Sequence, residues 1–484
     1  MSERMLMTRR GFLGVAATAA TGTLLAACAP QIVKETVVVE REKEVTKVVE
    51  KEKEVTKVVE KEKEVTKVVE KVVEKAVTAT PAPAQPITLR FPHAMGDEGQ
   101  PVFQKIADGF KAKHPNVTVK VEPTFDWDAQ KYLVQAAAGT APDIMWADEH
   151  YVYEFAPKGV LLDEGPFMDG SGFKKDAFDD IFGFYQFLGK QYGLPLWFGC
   201  YCIYYNKKIL ADAGVPEPTP DWTYDDMLTI LKKLTKTGKK PEVWGIRAQT
   251  HWNRWGSLIW AFGGDFFNAD GTKFVLCDKP NYAGLQFYVD LITKHKVAPP
   301  PEVDSALAGG GDPFATGAVA MAPGAAYALS AYRQIKDFEW DVVLNPKGPN
   351  GWWSVITTDS LSIYRGTKAA DMAWAFIQEC LTEDAAKIYC EQFKGPIPAL
   401  KAGQKYFLLP DQPPKHQQYL VDAVKQARPP MQSPYSAPVT LPFQQALSAV
   451  FNGTKTLDQM MSETCPVITK ALEEEINRIK SYGA

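Results

Sequence analysis

Hydrophobic and polar residues begin to follow regular secondary-structure periods at residue 87. The segment ITLRFPHAM alternates as a half-buried β-strand does, and Val102, Ile106 and Phe110 then recur at helical spacing within residues 101–113. VTVKVE predicts a second strand, WDAQKYLVQAAAG a helix ending at Gly139, and PDIMWA a third strand. Strands that alternate with helices favour parallel pairing through crossover helices, so the pattern predicts an α/β fold.

The second half of the chain continues this alternation. GLPLWFGCYCIYYN is an apolar, β-rich stretch, and Thr223 and Asp226 have the spacing of a capping box that begins a helix running to residue 236. Residues 467–482 predict a C-terminal helix with a single apolar face, formed by Ile468, Leu472, Ile476 and Ile479.

Residues 31–77 follow a different period, in which the phrase VTKVVEKEKE returns every ten residues. Ten residues turn an α-helix by about 1000°, so the valine stripe winds around the helix by about 80° per repeat and forms no coiled-coil seam. The segment carries 12 basic and 12 acidic residues, which disfavours a nucleic-acid-binding arm. We therefore predict a solvated, charge-balanced spacer that ends at the Ala/Pro-rich residues 79–84.

The N-terminus has the layout of an export signal. An uncharged run at residues 11–27 follows basic residues and is too short and too weakly apolar for a comfortable membrane span. TRRGFL at 8–13 resembles a twin-arginine signal, and LAAC at 25–28 resembles a lipobox, in which Cys28 would be acylated. We expect a signal over 1–28 and a tether over 29–86 that holds the protein on a membrane through Cys28. An ordinary secretory signal with a chance cysteine is the alternative.

The charge of the remaining chain argues against nucleic-acid partners. The whole chain carries −4, the first 30 residues +2 and the repeat 0, so residues 78–484 carry −6. A mildly acidic surface does not attract phosphate backbones.

Six cysteines follow Cys28, an even number that permits disulfides in an exported protein but does not assign them. They are Cys200, Cys202, Cys277, Cys380, Cys390 and Cys465. Cys200 and Cys202 alternate along a predicted strand, so both are expected to face the same side as buried thiols. There is no CxxC motif and no pair of histidines at metal spacing, so neither a metal nor a cofactor is expected.

The order of several phrases resembles the family 1 extracellular solute-binding proteins of ABC importers, which includes maltose-binding protein. These phrases are ITLRFPHAMGDEGQPVFQKIADGFKAKHPNVTVKVE, LVQAAAGTAPDIMWAD, YGLPL followed by YYNKKILADAGV, GDPFATGAVAM and WWSVITTDSLSI. The resemblance implies a periplasmic-binding-protein-like fold of two α/β lobes with a ligand cleft between them. Lobe one is expected at 87–200 and 348–400, and lobe two at 201–347 and 401–484, with the chain crossing near 195–202 and 345–353.

A sugar ligand would need aromatic platforms for its C–H faces and polar groups for its hydroxyls, placed in loops after strands. Asp97 is one candidate, with a helix-dipole role as the alternative. Asp148 and Glu149 are candidate hydroxyl acceptors, because this segment resembles an aromatic-plus-acid cleft segment of the family. Trp146 is a candidate platform or a core residue, and Trp127 is a candidate platform or a surface residue that packs on a helix end.

Further aromatic candidates stand at the predicted crossings and in loops. Trp197 and Tyr201 could face the cleft, although in a strand buried on both faces they would be core residues. Trp252 is the preferred ligand contact in the segment HWNRW, where Trp255 is expected to be structural. Tyr327 matches a family segment near the ligand.

Three more aromatics complete the predicted substrate-binding set. Trp352 and Trp353 lie at the second crossing, where one is expected to reach the cleft while the other packs, since alternate residues point opposite ways. Tyr435 matches a late aromatic contact of the family.

No GxSxG, HExxH or GxxxxGK[ST] motif occurs. The sequence therefore predicts a non-catalytic, monomeric receptor outside the cytoplasm, which binds a sugar or oligosaccharide and presents it to the permease subunits of an ABC transporter. The alternative is a lipid-anchored carbohydrate-active enzyme, because paired carboxylates leave no sequence signature. A purely structural surface protein would leave the resemblance unexplained.

Overall fold

The computed structural model describes residues 85–122, 129–238, 242–393 and 395–481. Cys28, Trp127, the predicted signal and most of the predicted tether lie outside these residues. The strands are β1 Ile87–Pro92, β2 Val117–Glu122, β3 Ile144–Asp148, β4 Gln186–Phe187, β5 Lys190–Gln191, β6 Leu194–Cys200, β7 Cys202–Asn206, β8 Trp244–Ile246, β9 Val319–Gly324, β10 Trp340–Val343, β11 Ser354–Ile363, β12 Ile397–Pro398 and β13 Ala427–Arg428. The α-helices are α1 Gly96–Lys113, α2 Ala129–Ala137, α3 Tyr151–Phe155, α4 Gly165–Ser171, α5 Lys207–Asp212, α6 Tyr224–Leu234, α7 Gly256–Ala261, α8 Ala283–Thr293, α9 Pro301–Ala308, α10 Leu329–Tyr332, α11 Ala370–Cys380, α12 Glu383–Phe393, α13 Gln418–Asp422, α14 Ala437–Phe451 and α15 Leu457–Ser481.

The first three strands only partly follow the predicted parallel arrangement. β1 and β2 pair in parallel with α1 as their crossover helix, as predicted. β3, however, hydrogen-bonds antiparallel to β11, a strand from far along the chain. A side chain connects β1 to the residue just before β3, since the Arg90 backbone N–H donates to the Asp143 carboxylate at 2.8 Å.

Two larger sheets organise the rest of the molecule. One contains β12, β6, β11 and β13 in that order, with β3 also on β11, and the other has the order β10, β7, β9, β8. β6 ends in the first sheet at Cys200 and β7 begins in the second at Cys202, inside the predicted first crossing. The chain returns between Val343 and Ser354, inside the predicted second crossing.

The two crossings lie side by side and are tied together. The Asn345 side-chain amide donates to the carbonyls of Tyr201, at 3.0 Å, and Trp353, at 2.9 Å. The Ser354 hydroxyl donates to the same Tyr201 carbonyl at 2.8 Å. Both connections between the sheets are therefore held in one hydrogen-bonded strip.

The helix predictions hold where local signals are strong. Thr223 and Asp226 form the predicted capping box of α6, with hydrogen bonds in both directions. The C-terminal helix buries all four predicted apolar residues, but it begins at Leu457, earlier than predicted. Thr456 and Gln459 form a capping-box-like pair there and set the true start. Within the described part of the chain, no helix combines the length and apolar composition that crossing a bilayer requires.

The cysteines divide into one disulfide and four buried thiols among the described residues. Cys277 is bonded to Cys465 and thereby joins a 3₁₀ turn to α15. Cys200 and Cys202 are free and buried in the same apolar cluster, which confirms the prediction of buried thiols. Cys380 and Cys390 are also free and buried.

Gly284 is required by the close packing of α8 on α7. A Cβ at this position would lie 2.2 Å from the Leu258 carbonyl oxygen, far inside van der Waals contact. We expect Gly284→Ala to lower the free energy of unfolding by about 1–3 kcal/mol, because backbone rather than a flexible side chain must move. Gly109→Ala in α1 is the matched control, since nothing lies within 4 Å of its Cβ.

Chemical denaturation of both variants checks this prediction. Gly109→Ala should be neutral or stabilising by about 0.5–1 kcal/mol, as expected for an unhindered helical glycine. Equal stabilities for the two variants would contradict the packing argument.

Candidate functional site

A pocket of about 230 Å³ opens beside the strip where the chain crosses between the sheets. Its lining residues come from the ends of β8 and β9, the loop before β9, the 3₁₀ turn at Trp252–Arg254 and the region of α10: Arg247, Gln249, Arg254, Asp312, Ala322, Pro323, Gly324, Tyr327, Ala328, Ala331 and Tyr332. Tyr327 stands at the mouth with 48% of its surface exposed. The pocket therefore combines an accessible aromatic with polar side chains after strand ends, where α/β proteins bind ligands.

The pocket mouth adjoins the other sheet. A Cβ at Gly199 in β6 would lie 3.1 Å from the Ala325 Cβ, and one at Gly395 would lie 3.7 Å from the Tyr327 Cα. Because Gly199 and Gly395 have no side chains, β6 and the segment just before β12 can approach the turn that carries Tyr327. A ligand at this mouth would lie within reach of both sheets.

Tyr201 and Tyr327, both predicted from the sequence, meet at this mouth. Their hydroxyl oxygens are 2.7 Å apart, and their rings pack edge to face with centroids 6.2 Å apart. The Arg254 guanidinium lies 5.1 Å from the centre of the Tyr201 ring and donates to the Pro323 carbonyl at 2.6 Å. Tyr201 is itself 4% exposed, so its contribution is a buried hydroxyl that positions Tyr327.

The loop after β3 contains the predicted acids. Asp148 Oδ1 accepts from the backbone N–H groups of His150, at 2.9 Å, and Tyr151, at 3.0 Å, and so begins α3. Glu149 is 2% exposed and accepts from the Thr358 backbone N–H at 3.1 Å. The prediction that Glu149 accepts a ligand hydroxyl is therefore wrong, because its carboxylate points inward and bonds β11.

Burial raises the pKa values of two carboxyl groups close to Asp148, those of Glu149 and Asp359. Asp359 in β11 lies directly opposite Asp148 in β3. Burial raises the pKa of Asp359 to about 6, although hydrogen bonds from Trp197 and Trp146 act in the opposite direction and the Asp148 charge adds to the rise. Burial, followed by the charges of Asp148 and Asp359, raises the pKa of Glu149 well above its ordinary value.

Trp146 and Trp197 are core residues rather than platforms. Trp146 is fully buried and Trp197 nearly so, and their rings pack edge to face with centroids 5.1 Å apart. Both indole N–H groups donate to Asp359, at 3.0 Å from Trp146 and 2.8 Å from Trp197. Of the two alternatives stated for each residue, platform or core, the structure supports the core, because β3 and β6 are buried on both faces.

The predicted turn after residue 250 lies against the loop that follows β3. Trp252 is half-buried, with its ring centroid 4.1 Å from that of His251 and 5.5 Å from that of His150. The Trp252 indole N–H and the Asn253 side-chain oxygen are buried without a hydrogen-bond partner among the described residues. Trp255 is fully buried and donates to the Thr250 carbonyl at 2.9 Å, so it is structural, as expected.

The remaining candidates lie away from the pocket lining. Asp97 is exposed in the first turn of α1, where it fits the helix-dipole alternative. Trp352 packs on one apolar cluster and Trp353 on another, so the two point opposite ways as expected, but neither lines the pocket. Tyr435 is half-buried against two clusters.

Sequence reasoning missed four polar residues of the pocket: Arg247, Gln249, Arg254 and Asp312. Arg254 and Asp312 lie in the segments HWNRW and GDPFATGAVAM, but the chemistry expected of a sugar site points first to aromatics and to acids after predicted strands. In residues 85–481, apart from the gaps, no three His, Cys, Asp or Glu side chains are placed to hold a metal ion.

Comparison with known proteins yields sequence relatives along most of the described region. The family profile described as bacterial extracellular solute-binding protein matches residues 96–387. A Brucella abortus (strain 2308) protein provisionally named a binding protein is 23% identical over 290 residues, covering 59% of this chain and 69% of that protein. The diacetylchitobiose binding protein DasA of Streptomyces coelicolor is 27% identical over 289 residues, covering 57% of this chain and 65% of DasA.

Solved structures share the fold. An ABC substrate-binding protein of Listeria monocytogenes in complex with cycloalternan matches with a TM-score of 0.71 at 23% identity, covering 80% of this chain and 99% of that one. This match confirms the predicted fold class, a two-lobed α/β fold of the periplasmic-binding-protein type.

Proposed function

The chain belongs to the bacterial extracellular solute-binding proteins, and we propose that it is the carbohydrate receptor of an ABC importer. The observation that carries the proposal is the pocket at the crossing strip, where Tyr327 and Gln249 can contact a sugar ring and its hydroxyls. The names of the relatives support a sugar, since DasA binds diacetylchitobiose and the Listeria protein was solved with cycloalternan.

In this proposal, binding acts by closing the lobes. The ligand contacts Tyr327 on one side of the mouth and groups near Gly199 or Gly395 on the other, so it is bound better when the sides approach. A ligand can shift a conformational equilibrium only through such a difference in affinity. The strip held by Asn345 is the hinge. The lobe ranges predicted from the sequence remain predictions. They are supported by the two places where the chain passes from one sheet to the other, at Tyr201 and before Ser354.

The acids around β3 and β11, which lie outside the pocket lining, support a receptor better than a hydrolase. Glu149 is buried and Asp359 is half-buried, and their carboxylates accept hydrogen bonds from a backbone N–H and two indole N–H groups, so they offer no accessible pair for acid and base roles. The proposed protein releases its sugar unchanged to permease subunits. It does so as a monomer held outside the cytoplasm by an acylated Cys28.

A thermal-shift panel of mono- and oligosaccharides on the purified full-length protein tests this proposal. At a ligand concentration about 100 times Kd, binding stabilises the folded state by about 2.7 kcal/mol, which is a clear rise in Tm. We expect at least one carbohydrate to give this rise. A rise only with polyamines, peptides or amino acids would contradict the assignment to sugars.

Tyr327→Ala tests the pocket itself. Loss of the ring and of its hydroxyl contact to Tyr201 is expected to weaken carbohydrate binding about tenfold, because an aromatic platform contributes about 0.5–1.5 kcal/mol beyond its buried area. Tm should hardly change, since Tyr327 is 48% exposed. Leu441→Ala on α14 is the control, because Leu441 is 59% exposed and lies outside the pocket lining. Equal affinities for both variants would place the ligand elsewhere.

Shortening the charged repeat tests the proposed tether. Deleting residues 42–71 is expected to reduce sugar uptake by cells while leaving the Kd of the purified protein unchanged, because reach and binding are separate properties. A scrambled repeat of equal length and composition is the control and should keep uptake. A weakened Kd after deletion would mean that the repeat forms part of the receptor.

A further inference from the structure

The pocket contains two arginines whose charges are compensated in different ways. Arg247 forms a bidentate pair with Asp304, at 2.9 and 3.2 Å, and donates to Asp312 at 2.8 Å. Arg254 forms no ion pair with a carboxylate of any residue that the structure describes. All the residues that line the pocket are among those described. The Arg254 guanidinium has only the Pro323 carbonyl and the face of the Tyr201 ring as described partners.

The negative charge on the pocket wall is already engaged. Asp312 Oδ2 accepts from Arg247, while Asp312 Oδ1 accepts from the Phe314 N–H at 2.9 Å and more weakly from the Ala315 N–H and the Tyr332 hydroxyl. Asp304 is held by both ends of the Arg247 fork. Neither carboxylate is therefore oriented to pair with Arg254.

An uncompensated cation at the wall of a pocket favours an anionic ligand. A half-buried guanidinium such as that of Arg254 is stabilised only partly by one carbonyl and an aromatic face. Its planar fork fits two oxygens of a carboxylate, phosphate or sulfate, and hydrogen bonds between ions are about twice as strong as neutral ones. Gln249 and Tyr327 beside it are neutral and suit sugar hydroxyls.

We propose that Arg254 is a specificity-determining residue that pairs with an anionic substituent, so that the ligand is an acidic sugar rather than a neutral one. The inference rests on the proposed carbohydrate receptor and narrows its ligand class. The shared chemistry is a sugar bearing an oxyanion, which a uronic acid, a sugar phosphate or a sulfated sugar can each supply.

Calorimetric titration of the full-length protein with matched ligand pairs tests the inference. The probes are tri-galacturonate and its methyl ester, glucose 6-phosphate and glucose, and a sulfated disaccharide and its unsulfated parent. We expect at least one acid to bind 10- to 100-fold more tightly than its neutral partner, as a charge-assisted contact predicts. The pair that shows this preference identifies the source of the anion.

Substitution then assigns the preference to Arg254. Arg254→Gln should remove the preference for the acid while changing the affinity for its neutral partner less than threefold, and Arg254→Lys should keep part of it. Arg428→Gln is the matched control, because Arg428 also lies over an aromatic ring, that of Trp353 at 4.1 Å, but outside the pocket. If Arg254→Gln does not fold, the Arg254→Lys variant and the wild-type ligand pairs decide the matter.

The outcomes separate this inference from the proposed function. Binding of neutral carbohydrates with no preference for any acid would overturn the role of Arg254 and leave the carbohydrate receptor standing. A preference that survives Arg254→Gln would overturn it as well. Failure of every carbohydrate, acidic or neutral, to bind would overturn the proposed function and this inference together.

Discussion

Replacing Cys277 and Cys465 together by serine is expected to lower the free energy of unfolding by about 2–5 kcal/mol. The disulfide closes a loop with a sequence separation of 188 and fixes α15 to the 3₁₀ turn at Val275–Cys277. A long loop loses much conformational freedom in the unfolded chain when it is cross-linked, so its removal has a large effect. Ligand affinity should stay the same, because neither cysteine lines the pocket.

Denaturant unfolding of the oxidised protein measures this loss. Cys380→Ala is the control, since Cys380 is buried and free, and it should cost less than the double replacement. Addition of dithiothreitol should destabilise the wild-type protein but not the double variant. Unchanged unfolding of the wild-type protein on reduction would contradict the assigned bond.

Protonation of Asp359 is expected to give the protein a higher free energy of unfolding at about pH 4 than at about pH 6. Its pKa rises from 3.8 to about 6 on folding, so the folded protein binds a proton more tightly than the unfolded chain does. The stability due to this proton is complete below about pH 4 and is lost as pH rises to about 6. The loss is about 3 kcal/mol, at about 1.4 kcal/mol for each pKa unit.

Asp359→Asn isolates this contribution. Because asparagine does not titrate, the free energy of unfolding of the variant should fall less than that of the wild type between pH 4 and pH 6. Asp108→Asn on the exposed face of α1 is the control and should leave the slope unchanged. Denaturation at closely spaced pH values measures both slopes, and parallel curves for Asp359→Asn and wild type would refute the raised pKa.

The sequence predicts the elements whose signals are local. The apolar spacing of Val102, Ile106 and Phe110 and the Thr223–Asp226 capping box need only neighbouring residues. The capping box occurs as predicted, and α1 buries all three apolar residues although it begins at Gly96, before the predicted residues 101–113. The pairing of β3 with β11 and the Cys277–Cys465 bond depend on tertiary contacts between distant segments, so no local pattern encodes them. The early start of α15 was missed because its Thr456 cap lies outside the apolar stripe that defined the prediction.

The site was predicted only in part because residue type does not reveal burial. Tyr201 and Tyr327, two separate candidates from the sequence, share a hydroxyl contact, whereas Trp146 and Trp197 have the same aromatic character but donate to the half-buried Asp359 in the core. Asp359 was missed because its role arises only when β11 lies between β3 and β6. Arg254 was missed because an arginine indicates an anion site only if no carboxylate pairs with it. In the described residues no carboxylate does, and the sequence alone does not show this.

The proposed receptor binds a carbohydrate and releases it unchanged. The most direct measurement is a calorimetric titration of the full-length protein with the best carbohydrate from the thermal-shift panel, followed by chromatography of the recovered sugar. We expect a single binding site, weakened about tenfold by Tyr327→Ala, and recovery of the intact sugar after prolonged incubation. Cleavage of the sugar by the protein, or heat of binding from non-carbohydrate solutes alone, would contradict the proposed receptor function.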